Sequence, residues 1–164
     1  MIKKIFNFLN SLSSISSEIG GWLMLLIVIL TLIDVGARNL SKHIVGLDLY
    51  AVLVFMIAIY LGLAHSEMIQ GHIKVEIFLE KSSLKFRRVL YLVDYILELT
   101  TLLIVIIASI TSAIDSFIDK EALSTSSILI KTYPVRFIIV IGVILYFFQI
   151  FINFYNKIKF NKLN

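Results

Sequence analysis

Two carboxylic acids, Asp94 and Glu98, stand one helical turn apart inside a run of otherwise apolar residues. On insertion scales an ionisable group at the centre of a bilayer costs roughly 2.5–3.5 kcal/mol. The cost shrinks near the ends of a span, where a side chain can snorkel to the interface. Counted from Val89, the two acids lie ~8 and ~14 Å along a helix, which places Glu98 close to mid-membrane if Val89 marks the interface. Adjacent carboxylates repel unless one is protonated or a cation is close. The pair could therefore form a proton or sodium site, or it could face the polar groups of another protein. A polar contact surface is the expected role.

Other polar residues sit near the ends of apolar runs. Asp34 and Arg38 share one helix face and can pair with each other, and Arg38 could in addition anchor a partner subunit. Glu67 and His65 fall in the last turn and a half of a second apolar run. Gln149 and Asn153, one turn apart, suit interhelical hydrogen bonding, whereas Phe147, Phe148, Phe151, Phe154 and Tyr155 read as lipid-facing or belt residues. His43, His65 and His72 raise haem ligation, which needs two axial ligands at one depth on facing helices. His43 falls at one side of the membrane and the other two at the opposite side, so no axial pair exists within one chain and no cofactor is expected. No nucleophile–base constellation, Gly-rich phosphate loop or metal-binding spacing occurs, and no enzyme is expected. With no cysteine there is neither a disulfide framework nor a thiolate site.

The elements that must position these groups follow from composition. The chain of 164 residues is 59% hydrophobic and 16% charged, with mean hydropathy +0.97, against about 45–50% and about 25% in soluble domains. A helix crossing the ~30 Å hydrocarbon layer needs about 20 mostly apolar residues. Four segments qualify: about Ile19–Asn39, Leu49–Ile69, Val89–Ile114 and Pro134–Tyr155. Four such segments in so short a chain cannot all hide behind one another. The expectation is an all-α membrane protein of four transmembrane helices, one integral domain over 1–164. The net charge of +4 does not indicate nucleic acid, because the basic residues cluster beside apolar runs, where they set membrane orientation.

At the N-terminus, Lys3 and Lys4 precede a Ser-rich, weakly amphipathic stretch, Ile5–Ser17, and no small-x-small cleavage site follows the apolar run. This predicts an uncleaved first helix preceded by a short interfacial segment. Lys3, Lys4, Lys74, Lys81, Lys85, Arg87, Arg88, Lys157, Lys159 and Lys162 lie on one side of the expected spans, and Arg38, Lys42, Lys120, Lys131 and Arg136 on the other. The positive-inside rule then places both termini in the cytoplasm. Between the second and third helices, Gln70–Arg88 mixes apolar and charged residues in a way that suits an amphipathic segment in the headgroup region. The opposite loop, Asp115–Tyr133, is polar, and Pro134 suits the first turn of the last helix.

Three features of the chain resemble a known family. Arg38–Asn39 closes the first helix. YLGLAHSEMIQGHIKVEIFLEK from Tyr60 combines a small-residue helix end with Gly-His-Ile, a basic residue, a β-branched residue and an acid. Pro134 opens the last helix and Gly142 follows within it. These resemble the DctQ-like small membrane subunit of the tripartite ATP-independent periplasmic (TRAP) transporters. Two departures are that the second helix opens with only Gly46, Leu47 and Asp48 where the family commonly has a Trp or acidic cluster, and that Glu76 stands where Asp is usual.

The resemblance implies a large membrane subunit that carries the substrate and sodium sites and moves by an elevator motion. It also implies a periplasmic binding protein that delivers an organic acid, with the small subunit enlarging the fixed scaffold in the bacterial inner membrane. Asp34, Arg38, Glu67, His72, Asp94 and Glu98 are then expected to be subunit contacts or structural polar groups, with substrate-binding residues on other chains. Two other readings stand beside this one. A self-contained homo-oligomeric carrier or channel would use Asp94 and Glu98, although four uninterrupted helices make a poor carrier when carriers bind at interrupted ones. An electron-transfer or assembly protein would show a haem band.

Overall fold

The computed structural model describes residues 2–40, 42, 44–69, 84–124 and 129–159. Four helices carry the architecture: α1 (Ile2–Asn39), α2 (Leu47–Met68), α3 (Leu84–Ile118) and α4 (Tyr133–Lys159). A short hairpin, β1 (Ala122–Ser124) and β2 (Leu129–Lys131), joins α3 to α4. Its strands are antiparallel, with Ala122 opposite Lys131 and Leu123 opposite Ile130. All four helices are long and apolar enough to cross a membrane. In hydrocarbon, backbone groups have no water to bond, so a helix that satisfies them internally is the available solution. Exposed hydroxyls obey the same constraint: Thr31, Thr100 and Thr111 each donate to the carbonyl one turn back, at 2.8, 2.7 and 2.9 Å.

The ends of the helices have local causes. Gly46 caps α2 with φ 87°, a left-handed conformation that strains any residue with a Cβ. At the same end of the molecule, α3 stops in a Schellman-type turn. The amide of Glu121 donates to Ser116 O at 2.9 Å and that of Lys120 to Phe117 O at 3.3 Å. Lys120, rather than the usual glycine, takes the left-handed position with φ 49°. Thr132 then closes the base of the hairpin through its amide and hydroxyl, both donating to Glu121 O at 3.1 and 3.2 Å. Pro134 is the second residue of α4, where its missing N–H breaks no helical bond.

The helices pack in the order α1, α2, α4, α3, with a smaller α1–α4 contact, and α3 makes extended contact with α4. Tyr95, Leu102, Val143 and Ile150 form the buried cluster between α3 and α4, with Tyr60 of α2 packed against it. Close approach of α2 and α4 depends on Gly142, because a Cβ there would sit 2.6 Å from the Tyr60 carbonyl oxygen. The start of α1 meets the end of α4, with the rings of Phe6 and Tyr155 5.4 Å apart. The molecule thus has a terminal end and a hairpin end.

One expectation changes. Ile5–Ser17 is not a separate interfacial segment: it continues α1 without a break, and its Ser13 and Ser16 are buried. Small polar residues at helical spacing let another helix approach closely, which favours packing over the headgroup region. The third span starts at Val89 as expected, and its helix extends back from it to Leu84. The rest of the expected amphipathic segment, 70–83, lies outside the described residues, as do His43 and His72.

Candidate functional site

A buried polar seam runs across the terminal end. Asn153 on α4 donates from Nδ2 to both the carbonyl oxygen and the Oε1 of Glu67 on α2, at 2.7 and 2.8 Å. Gln149, one turn earlier on α4, donates to Asn10 Oδ1 at 3.2 Å and accepts from the Ser13 hydroxyl at 3.4 Å. Glu67 and Gln149 are only 3% and 1% exposed. At 1.5 Å per residue, Glu67 lies ~14 Å from the midpoint of α2, near the edge of a ~30 Å hydrocarbon layer. On the α3 side, Tyr146 donates to Glu98 Oε1 at 3.3 Å. The seam therefore ties α1, α2 and α3 to α4, each through polar atoms that would be costly to leave unpaired in hydrocarbon.

The expected site residues are distributed, not gathered. Asp94 and Glu98 share α3, but Glu98 turns to Tyr146 while Asp94 is exposed one turn nearer the terminal end. Glu67 is enclosed in the seam. Asp34 and Arg38 pair at 2.7 Å near the hairpin end of α1, with the aspartate side chain mostly covered and the guanidinium about half open. Asp34 Oδ1 and His65 Nδ1 are enclosed without a hydrogen-bond partner. Among the described residues, no three His, Cys, Asp or Glu side chains converge in a way that could hold a metal ion.

A second polar group, at the hairpin end, was not anticipated. Arg136, in the first turn of α4, donates to the Ser112 hydroxyl of α3 and to Glu121 Oε1 at 2.7 Å. The guanidinium thus joins α3, α4 and the hairpin base. The hydroxyl of Ser116, close by though not in an aligned hydrogen bond, and the bond from Arg136 hold the Glu121 carboxyl below its ordinary value of 4.5. Around them lies a cleft of about 340 Å³, which also touches Ala108, Thr111, Asp115 and Asp119.

Asn10 and Ser13 were also missed as participants. The signal was present in the helical spacing of Asn10, Ser13, Ser16 and Gly20, and Gly20 meets α2 with a Cβ position 3.0 Å from Ala58 O. The aromatic residues of α4 divide. Phe148 and Phe151 are exposed, but Phe154 packs on Tyr95 with ring centroids 4.4 Å apart, Tyr155 meets Phe6, and Phe147 lies against the buried cluster. These three therefore join helices and do not serve as a lipid belt.

Residues 27–160 match the family described as tripartite ATP-independent periplasmic transporters, DctQ component. No curated protein and no solved structure gives a significant match.

Proposed function

The chain belongs to the DctQ component family of the tripartite ATP-independent periplasmic transporters, and on that premise we propose that it scaffolds the large membrane subunit of a carrier importing an organic acid with sodium. It is a multi-pass membrane subunit of a transporter and not an enzyme. The observation that supports a scaffold role is where polar and apolar groups are placed. Glu67, Asn153, Gln149 and Asn10 are engaged in helix-to-helix bonds, whereas broad apolar faces stay uncovered. On α3, Ile96, Leu97, Ile104 and Ile107 are all more than 60% exposed. A rigid bundle with open lateral faces suits a fixed wall laid against a larger membrane protein. Partners would be that large subunit, held stably, and a periplasmic substrate-binding protein, met transiently.

In this reading the protein resides in the bacterial inner membrane with the terminal end in the cytoplasm, as the Lys and Arg distribution supports. Glu67 and Glu98 are structural polar groups, while Asp34–Arg38 and Asp94 are available for contacts with other chains; for His72, outside the described residues, a contact role rests on the family likeness alone. A mild-detergent pull-down of the tagged chain from native membranes, with mass spectrometry, tests the assignment. Stoichiometric recovery of a much larger multi-span protein is the expected result. Recovery of the chain alone as a defined homo-oligomer, with flux in liposomes that depends on Asp94 or Glu98, would overturn it. An active periplasmic phosphatase fused to the C-terminus would reverse the topology.

A further inference from the structure

The hairpin-end cleft does not stop at its polar chamber. A second chamber of about 280 Å³ adjoins it, lined by Val105, Ala108, Ser109, Ser112, Arg136 and Ile139. The two share Ala108, Ser112 and Arg136. Together they form a groove between α3 and α4 that begins at the hairpin and runs into the membrane-spanning part of both helices. Small residues on α3 (Ala108, Ser109 and Ser112) create the space.

Polarity along the groove follows the membrane normal. The upper chamber presents the carboxylates of Asp115, Asp119 and Glu121 with the guanidinium of Arg136. The lower chamber is mostly apolar, with Val105 a turn below the small residues on α3 and Ile139 contributed by α4. Phe117 stacks edge-on against Tyr133 and Phe137, with ring centroids 5.5 and 6.1 Å apart. Tyrosine gathers at the headgroup level of a bilayer, and Tyr133 in this cluster sets the upper chamber at that level.

From this juxtaposition we infer that the groove holds one phospholipid with a zwitterionic, primary-amine headgroup. The ammonium sits among Asp115, Asp119 and Glu121, the phosphate faces Arg136, and an acyl chain descends past Val105 and Ile139. Two considerations single out this occupant. A lower chamber of about 280 Å³ is too small for a helix of ~10 Å diameter but admits an acyl chain. Three carboxylates against one guanidinium repel an anionic headgroup and attract a cationic one. Arg136 has five N–H donors and meets two acceptors, Ser112 and Glu121, so it keeps donors for a phosphate. The inference requires only that the helices span a membrane; it is independent of the scaffold role.

The test is native mass spectrometry of the full chain released from nanodiscs of phosphatidylcholine doped equally with phosphatidylethanolamine and phosphatidylglycerol. One tightly retained phosphatidylethanolamine per chain is expected. Asp119→Asn, at an exposed position, should lower its retention about threefold, and Ala108→Phe should abolish it by filling the shared wall. Should Ala108→Phe fail to fold, Asp115→Asn with Asp119→Asn supplies the same readout. Retention of phosphatidylglycerol in preference, equal retention of all three lipids, or retention unchanged in the variants would overturn the assignment.

Discussion

Replacing Asn153 with leucine, which branches at the same carbon, removes both bonds that the amide donates to Glu67, to the carbonyl oxygen at 2.7 Å and to Oε1 at 2.8 Å. Interhelical polar contacts in membranes average about 0.6 kcal/mol and reach about 1.7. Two lost at one buried position should therefore destabilise the bundle by about 1–3 kcal/mol. Glu67→Ala removes only the side-chain half, since the backbone carbonyl remains. A double-mutant cycle between Asn153→Leu and Glu67→Ala should then give a coupling of about 1 kcal/mol. The assay is unfolding by SDS in mixed micelles, followed by far-ultraviolet circular dichroism. A loss below about 0.5 kcal/mol for Asn153→Leu, or a coupling near zero, would refute the claim that this contact holds α2 on α4.

Other expectations rest on different parts of the fold. Gly142→Ala places a methyl 2.6 Å from the Tyr60 carbonyl oxygen, so it should push α2 and α4 apart and lower stability by about 1–3 kcal/mol in the same SDS titration. Lys120 occupies a left-handed position with φ 49°, where glycine carries no Cβ strain; Lys120→Gly should stabilise by about 1 kcal/mol, read as a raised melting temperature. The depressed Glu121 carboxyl contributes to holding the hairpin base in full above its ordinary value of 4.5, and the contribution fades as pH falls through the lower folded value. The amide resonances of Leu123 and Ile130 should therefore shift on acidification. In Glu121→Gln that acid transition should vanish, and a transition that persists would assign it to another group.

Much of the architecture was legible in the residues. Four runs of about 20 apolar residues are a one-dimensional signal, because a bilayer demands length and hydropathy whatever the neighbouring helices do. The pairing of Asp34 with Arg38 belongs to the same class, since one helical turn brings both onto one face before any tertiary contact forms. The family likeness also lay in local strings such as Gly-His-Ile before Lys74, and residues 27–160 carry the match.

What required the folded chain was the choice of partner for each polar group. Asn10 and Gln149 are separated by most of the chain, and no periodicity says that α1 and α4 meet at that depth. Glu98 looked like half of a carboxylate pair with Asp94, but the approach of α4 gave it the Tyr146 hydroxyl instead. Arg136 and Glu121 became partners because the hairpin folds back over the start of α4. In an apolar solvent nearly every helix face is acceptable to lipid, so hydropathy leaves packing undetermined. The faces are selected by close approach at Gly20 and Gly142 and by polar atoms that have no water to turn to.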